Sequence, residues 1–300
     1  MNQDLRLPFH RPVLLSEVMD WLQIKPGIWY IDATVGGGGH TQGILLQGGY
    51  VLGIDQDQEA IAYTTTRLKT YIQDDRLRLK RGNFTEIRRI SRDEQISEFG
   101  GILFDLGMST YQIKQSGRGF SFLKDELLDM RMSQDAKLTA EEVVNAYSLE
   151  QLYEIFRKFG EEHLARQIAM AICRSRTVTR IRTTGQLAEI AHQVYKEKKV
   201  KSRIHPATRI FQAVRIEVND ELTKLKKGLQ DGFELLSPKG RLLVISFHSL
   251  EDRIVKRQFL EYASLSKIKI LTKKPITATD AEIEENAASR SAKLRVIEKV

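Results

Sequence analysis

Three apolar runs in the first third of this 300-residue chain each end in an aspartate, and that repeated ending limits the folds open to it. Residues 28–32 form a short β-branched and aromatic run that stops at Asp32 and then at a cluster of glycines. Residues 50–55 and 101–106 follow the same grammar through Asp55 and Asp105. Helical stretches at 40–47 and 57–71 separate them, and 77–80 reads as a further strand. Strands that alternate with helices build a parallel sheet. Open parallel sheets bind ligands beyond the carboxyl ends of their strands. The expectation is therefore an α/β core whose crevice is lined by Asp32, Asp55 and Asp105.

After Asp105 the pattern changes. Residues 111–206 contain no convincing strand but several helical stretches, at 149–158, at 161–175, and over Leu187, Ile190, Ala191, Val194 and Tyr195. The last has the spacing of a buried helical face, entered through Thr183 or Thr184 as a cap. One long helix is expected from Phe211 through Val214, Val218, Leu222, Leu225, Leu229 and Phe233 to Leu236, stopped by Ser237-Pro238-Lys239-Gly240. Strands at 241–247 and 294–297 complete the sheet. The expected organisation is a core of 1–110 and 207–300 interrupted by a helical insertion, 111–206.

Charge sharpens this division. Residues 174–209 carry ten Lys/Arg against Glu189 and Glu197, a net +8 that equals the formal charge of the whole chain. A basic segment of this density suits a polyanion, because each cation that meets a phosphate releases counterions. The insertion is thus the expected nucleic-acid-binding domain. A single cysteine, Cys173, excludes a disulfide framework and a Cys-rich zinc site. The six histidines are scattered, and no metal is expected. No apolar run approaches the ~18 residues of a membrane span, and the first twelve residues lack the greasy stretch of a signal peptide. A cytoplasmic protein with no membrane partner is expected.

The glycine cluster 36–39 follows the first strand, where glycines tolerate positive φ and let a ligand approach the backbone. Neither GxGxxG nor GxxxxGK[ST] is present, so the loop is not built for a pyrophosphate or a nucleoside triphosphate. An acid, a glycine turn and a second acid at the next strand end suit a ligand with a cationic amino-acid end and a ribose. S-adenosylmethionine is such a ligand.

Longer motifs then follow in order: His10-Arg11-Pro12-Val13-Leu14-Leu15-Ser16-Glu17, the DATVGGGGH loop from Asp32, Asp105-Leu106-Gly107-Met108-Ser109, Arg118-Gly119-Phe120-Ser121-Phe122 and Leu128-Asp129-Met130-Arg131-Met132. His205-Pro206-Ala207-Thr208-Arg209-Ile210-Phe211-Gln212-Ala213, Ser246-Phe247-His248-Ser249-Leu250-Glu251-Asp252-Arg253 and Ser289-Arg290-Ser291-Ala292-Lys293-Leu294-Arg295 complete the set. Over nearly its whole length the chain resembles the bacterial ribosomal RNA small-subunit methyltransferase H family, also called MraW. The resemblance implies a Rossmann-like class I S-adenosylmethionine-dependent methyltransferase with an inserted all-helical domain. It implies methylation of the exocyclic N4 of a cytidine in the decoding region of 16S ribosomal RNA, within the small ribosomal subunit, and it allows a homodimer. It assigns Gly38, Gly39 and His40 to the methionine end of the cofactor, Asp55 to the ribose and Phe84 to the adenine, with Asp105 and Gln112 completing the pocket. The chain reads DLGMST where members commonly read DLGVSS, and NAASRS where they commonly read NPRxRS.

The side chains agree with amine chemistry. Methylation at cytosine C5 needs a covalent nucleophile, usually Cys, and Cys173 reads as a structural thiol within a helix. Transfer to an exocyclic amine needs only acceptors that orient the NH2 in line with the leaving sulfur. Asp105 and Ser109 stand where amino methyltransferases place such acceptors; Asp105 is either the amine acceptor or a cofactor contact. Phe120 and Phe122 are candidates to stack an extruded base. His248, at the end of the fifth strand, is a candidate contact for base or phosphate, and Ser249 with Asp252 reads as a capping box. A DNA amino-methyltransferase lacks support because the Asp-Pro-Pro-aromatic motif is absent, and a non-catalytic assembly factor would not need Asp55 and Asp105 intact.

Overall fold

A computed structural model describes residues 12–108 and 116–300. The chain divides into two compact units, one of residues 1–109 and 222–300, the other of residues 110–221.

The first unit is a seven-stranded sheet. Its strands are β1 (Trp29–Asp32), β2 (Tyr50–Asp55), β3 (Leu77–Arg81), β4 (Phe99–Asp105), β5 (Leu236–Ser246), β6 (Ile268–Ile270) and β7 (Lys293–Lys299), in the order β3-β2-β1-β4-β5-β7-β6. β1 to β5 run parallel, whereas β7 pairs antiparallel with both β5 and β6. The order reverses between β1 and β4, and a reversal of that kind opens a crevice beyond the strand ends. Side chains alternate across the sheet. Ile102 and Phe104 join Ile31, Leu52 and Ile54 on one face, under Leu225, Leu229 and Phe233. Leu103 joins Tyr30, Val51 and Leu243 on the other, against Val18, Leu22 and Ile44. Strands covered on both faces read as unbroken apolar runs, which is why these runs stand out in the sequence.

Two local readings change. The stretch 57–71 is two helices, Gln58–Arg67 and Lys69–Gln73, parted at the buried Leu68. Ser237-Pro238-Lys239-Gly240 lies inside β5 as an outward excursion: Phe99 pairs with Leu236 and Gly101 with Arg241, so four residues bulge opposite one. Lys239 takes a left-handed φ of 63° there.

The second unit contains the helices Ala140–Ala146, Leu149–Lys158, Ala165–Val178, Thr184–Glu197 and Ala207–Asn219. Thr139 with Glu142, Ser148 with Gln151 and Thr183 with Gln186 open three of them as capping boxes. The helix Ala207–Asn219, expected in the core, packs here against three of its neighbours through Ile210, Phe211 and Val214. The expected long helix therefore does not exist. It breaks at Asp220, whose φ of 48° is left-handed, and the helix Glu221–Leu235 starts afresh. The helical unit ends at Glu221 and so includes the helix Ala207–Asn219. No described helix is long and apolar enough to cross a membrane.

Candidate active site

The carboxyl ends of β1, β2 and β4 hold the three predicted aspartates, and the structure gives each a different environment. Asp32 is buried, with Oδ1 accepting from the Thr34 amide at 3.2 Å and Oδ2 from the Thr41 hydroxyl at 2.7 Å. Thr34 Oγ1 accepts in turn from the Asp105 amide at 2.7 Å. Asp32 thus braces the glycine loop and ties β1 to β4 instead of lining the crevice as the sequence suggested. Burial pushes its carboxyl up to about 6 despite the hydrogen bonds. The glycines answer the same packing demand. Gly38 is the left-handed N-cap of the helix Gly39–Leu46, with φ 73°, and a Cβ there would lie 2.7 Å from Thr64 Cγ2. A Cβ on Gly39 would lie 2.8 Å from the Pro12 ring.

Asp55 accepts from the Gly36 amide on Oδ2 and from the Asp57 amide on Oδ1, both at 2.8 Å. Burial raises it to about 6. Each oxygen keeps a second lone pair. Phe84 begins the 3-10 turn Phe84–Glu86 beyond β3, which Asn83 caps with Glu86 as the reciprocal partner. Asn83 Nδ2 also donates to Gln56 Oε1 at 2.8 Å, joining the ends of β2 and β3. The Phe84 ring is half-buried, edge-on to Phe104 with centroids 5.6 Å apart, and a Cβ on Gly228 would lie 2.5 Å from it.

Asp105 differs from both. Its Oδ1 is buried and has no hydrogen-bond partner among the described residues. Its Oδ2 lies 3.5 Å from His40 Nδ1. His40 Nε2 donates to the Val13 carbonyl at 2.9 Å, which fixes the proton on Nε2 and turns the Nδ1 lone pair toward Asp105. Burial lowers His40 to about 4, so the ring is neutral. Burial also lifts Asp105 well above the usual carboxylate range, reinforced by the charges of Asp32 and Glu251. The surroundings thus favour the protonated form of Asp105, and a cationic or N–H-bearing ligand at Oδ1 would favour the ionised one.

Beyond β5, the capping box is shifted by one residue from the reading above. His248 is the N-cap of the helix Ser249–Ser264, its Nδ1 accepting from the Glu251 amide, and Glu251 Oε2 accepts from the Phe247 and His248 amides. The buried Nε2 of His248 makes no hydrogen bond among the described residues, although Glu251 Oε1 lies 3.3 Å away. Asp252 instead forms a two-point ion pair with Arg295 of β7, at 2.6 and 3.1 Å. Thr34, Thr41 and Glu251 escaped the sequence reading; only Glu251 had a local signal, three residues after His248.

Ser109 and Gln112 lie outside the described residues. In the helical unit, Phe120 is buried beneath the Arg118 guanidinium, 5.5 Å from its ring centroid. Phe122 is half-buried, stacked against His205 and in edge contact with Phe211. Phe120 therefore presents no open ring for a flipped base, and Phe122 is already stacked with His205. Asp129 and Arg131 form an ion pair at 2.7 Å.

A family profile described as the MraW methylase family matches residues 8–300. The chain belongs to the MraW methylase family. Ribosomal RNA small subunit methyltransferase H of Sulfurihydrogenibium sp. (strain YO3AOP1) is 47% identical over 289 residues, covering 96% of this chain and 98% of the relative. The protein of that name from Persephonella marina is 47% identical over 293 residues, covering 97% and 99%. Among solved structures, an rRNA methylase from Streptococcus thermophilus aligns at TM-score 0.45 with 10% identity, over 99% of both chains. A methyltransferase homologue from Streptococcus mutans in complex with SAH aligns at TM-score 0.45 with 11% identity, over 99% of this chain and 100% of the other.

This MraW methylase is an enzyme of the S-adenosylmethionine-dependent class. The site fits that cofactor. Asp55 and Asp105 place carboxyl groups at the ends of β2 and β4, the two strands that flank β1, and the Oδ1 of Asp105, orphaned among the described residues, suits a cationic or N–H-bearing ligand.

Proposed function

We propose that this MraW methylase transfers the methyl group of S-adenosylmethionine to the exocyclic N4 of a cytidine in the decoding region of 16S ribosomal RNA. The buried, partnerless Oδ1 of Asp105 carries the reading. An exocyclic amine offers two N–H donors, and a carboxylate acceptor at the strand end fixes their direction. S-adenosylmethionine supplies an electrophilic methyl group on a sulfonium sulfur. Around it, Asp55 accepts the ribose hydroxyls with its free lone pairs, Phe84 packs on the adenine, and Gly38, Gly39 and His40 face the methionine end. Gln112 completes the pocket, and Ser109 assists Asp105.

Asp105 accepts one N4–H and holds the nitrogen lone pair in line with the methyl carbon and the sulfur. The N4–C bond forms as the C–S bond breaks, and the surplus N4 proton leaves to solvent. No covalent enzyme intermediate is required. Cys173, half-buried on a helix of the helical unit, has no part in it. The helical unit supplies RNA affinity, and the small-subunit assignment of the 47%-identical relatives supports the substrate.

Labelled S-adenosylmethionine and small subunits lacking the modification test the reading, with nucleosides analysed by mass spectrometry after digestion. N4-methylcytidine is expected. Cofactor binding without any methylated nucleoside would move the chain to another RNA or to an assembly role.

A further inference from the structure

The helical unit carries a ring stack that the transfer chemistry does not use. Phe122 and His205 are stacked, with centroids 4.6 Å apart and planes 25° apart. His192 lies nearly parallel to His205, at 6.2 Å and 17°. Phe211, itself buried, meets Phe122 edge-on at 5.1 Å and anchors the stack to the core of the unit. The His205 ring is fixed as well, because its Nδ1 accepts from the Ala207 amide at 3.2 Å at the start of the helix Ala207–Asn219. Both imidazoles are exposed. A platform already held in place loses little conformational freedom when a ligand settles on it.

His192 and His205 are also the two ends of a closed loop. The helix Thr184–Glu197 ends in a turn where the Lys199 and Val200 amides donate to the Lys196 and Tyr195 carbonyls, and Lys199 is left-handed at φ 54°. The chain then returns to His205. Lys196, Lys198, Lys199, Lys201 and Arg203 all lie between the two rings in sequence, all are exposed, and among the described residues none is in an ion pair. The 6.2 Å approach of the two rings brings the ends of this basic stretch together, so its cations lie on the segment that joins them. Glu197 is the only acid among them.

We propose that the Phe122–His205–His192 stack and the basic loop that closes on it form a stacking platform for single-stranded RNA. A single strand offers both base faces and phosphates, so it uses rings and cations together. A duplex hides its base faces, and an acidic protein would engage the cations alone. This inference rests on the RNA-substrate reading above and names the form of RNA that the helical unit grips.

The full-length protein is titrated with a fluorescently labelled unstructured RNA 12-mer and with the matching duplex, at several salt concentrations. His192→Ala is the informative variant, since that exposed side chain caps nothing. It should weaken single-strand binding by about 5- to 100-fold, the range for one stacked base. Its salt slope and melting temperature should stay those of the parent, and His192→Phe should restore affinity. Replacing Lys196, Lys199 and Lys201 by Ala should instead flatten the salt slope by about 0.7 per cation removed. Parent-like binding by His192→Ala, equal losses on duplex and single strand, or equally strong competition by polyglutamate would each overturn the proposal. The methylation assay is independent. Ring-dependent binding without N4-methylcytidine would sink the substrate assignment and leave the platform standing.

Discussion

Asp105 is a carboxyl group that the fold burdens rather than rewards. One oxygen has no partner among the described residues, and the other faces a neutral imidazole whose only N–H is already spent on Val13. Its folded value lies well above the ordinary one, so the folded state retains a proton that the unfolded chain has lost. Stability contributed by that proton is present at low pH and disappears as pH rises through the raised value. Asp105→Asn, which mimics the protonated form, should melt higher than the parent at pH 8, and the gap should close as pH falls toward 5. The same variant should lose methyl transfer by on the order of 10²- to 10³-fold, the cost of removing one well-placed polar partner of a transition state. Thermal melts across pH and single-turnover transfer check the two halves.

A positive ligand beside Asp105 and Asp55 favours their ionised forms. Binding of S-adenosylmethionine near pH 6 to 7 should therefore release protons and tighten as pH rises, since Asp55 sits near 6 and Asp105 is raised too. Calorimetry in two buffers of different ionisation enthalpy measures the release; a heat independent of buffer would contradict it. At this scale the sequence was informative about position and silent about state. Three strand-end aspartates were legible because acids interrupt apolar runs, yet nothing in the residue order said that Thr41, nine residues on, would occupy Asp32.

Elements were legible where the apolar period was unambiguous. β1, β2 and β4 declared themselves, being covered on both faces. The helix break at Asp220 did not, because Phe211, Val214, Val218, Leu222 and Leu225 keep helical spacing straight across it. Asn and Asp tolerate the left-handed region better than other non-glycine residues, and Asn219-Asp220 was the only local hint. Asp220→Val should cost about 1–2 kcal/mol in urea unfolding, and Asp220→Gly should cost nothing. The short β6 escaped because three residues cannot display a period. Gly228 tests the neighbouring element. An added methyl would favour the helix Glu221–Leu235 but would lie 2.5 Å from the Phe84 ring. Gly228→Ala should leave stability near that of the parent and weaken S-adenosylmethionine binding by on the order of tenfold, as the ring is displaced. Unchanged affinity would remove Phe84 from the adenine site.

At the scale of the whole molecule, two compact units share one chain and divide the expected labour. The described residues proposed to hold the cofactor all belong to the sheet unit, and the exposed cations from Lys196 to Arg203 all belong to the helical one. A ligand that binds only a folded unit raises the melting of that unit. Saturating S-adenosylmethionine should raise the calorimetric transition of the sheet unit and leave that of the helical unit in place; an equal rise of both would show that the two melt together.

β7 runs between β5 and β6, although it is the last of the seven strands to be synthesised. From Ser246 to Lys293 the growing chain adds about 50 residues, roughly 2–10 s of translation. For that interval β5 has an open edge, with apolar residues such as Leu243 and Ile245 beside unpaired amides. Sticky edges of that kind recruit neighbouring chains. Slow translation or a stall within this stretch should therefore prolong an aggregation-prone interval of the nascent protein and lower its soluble yield.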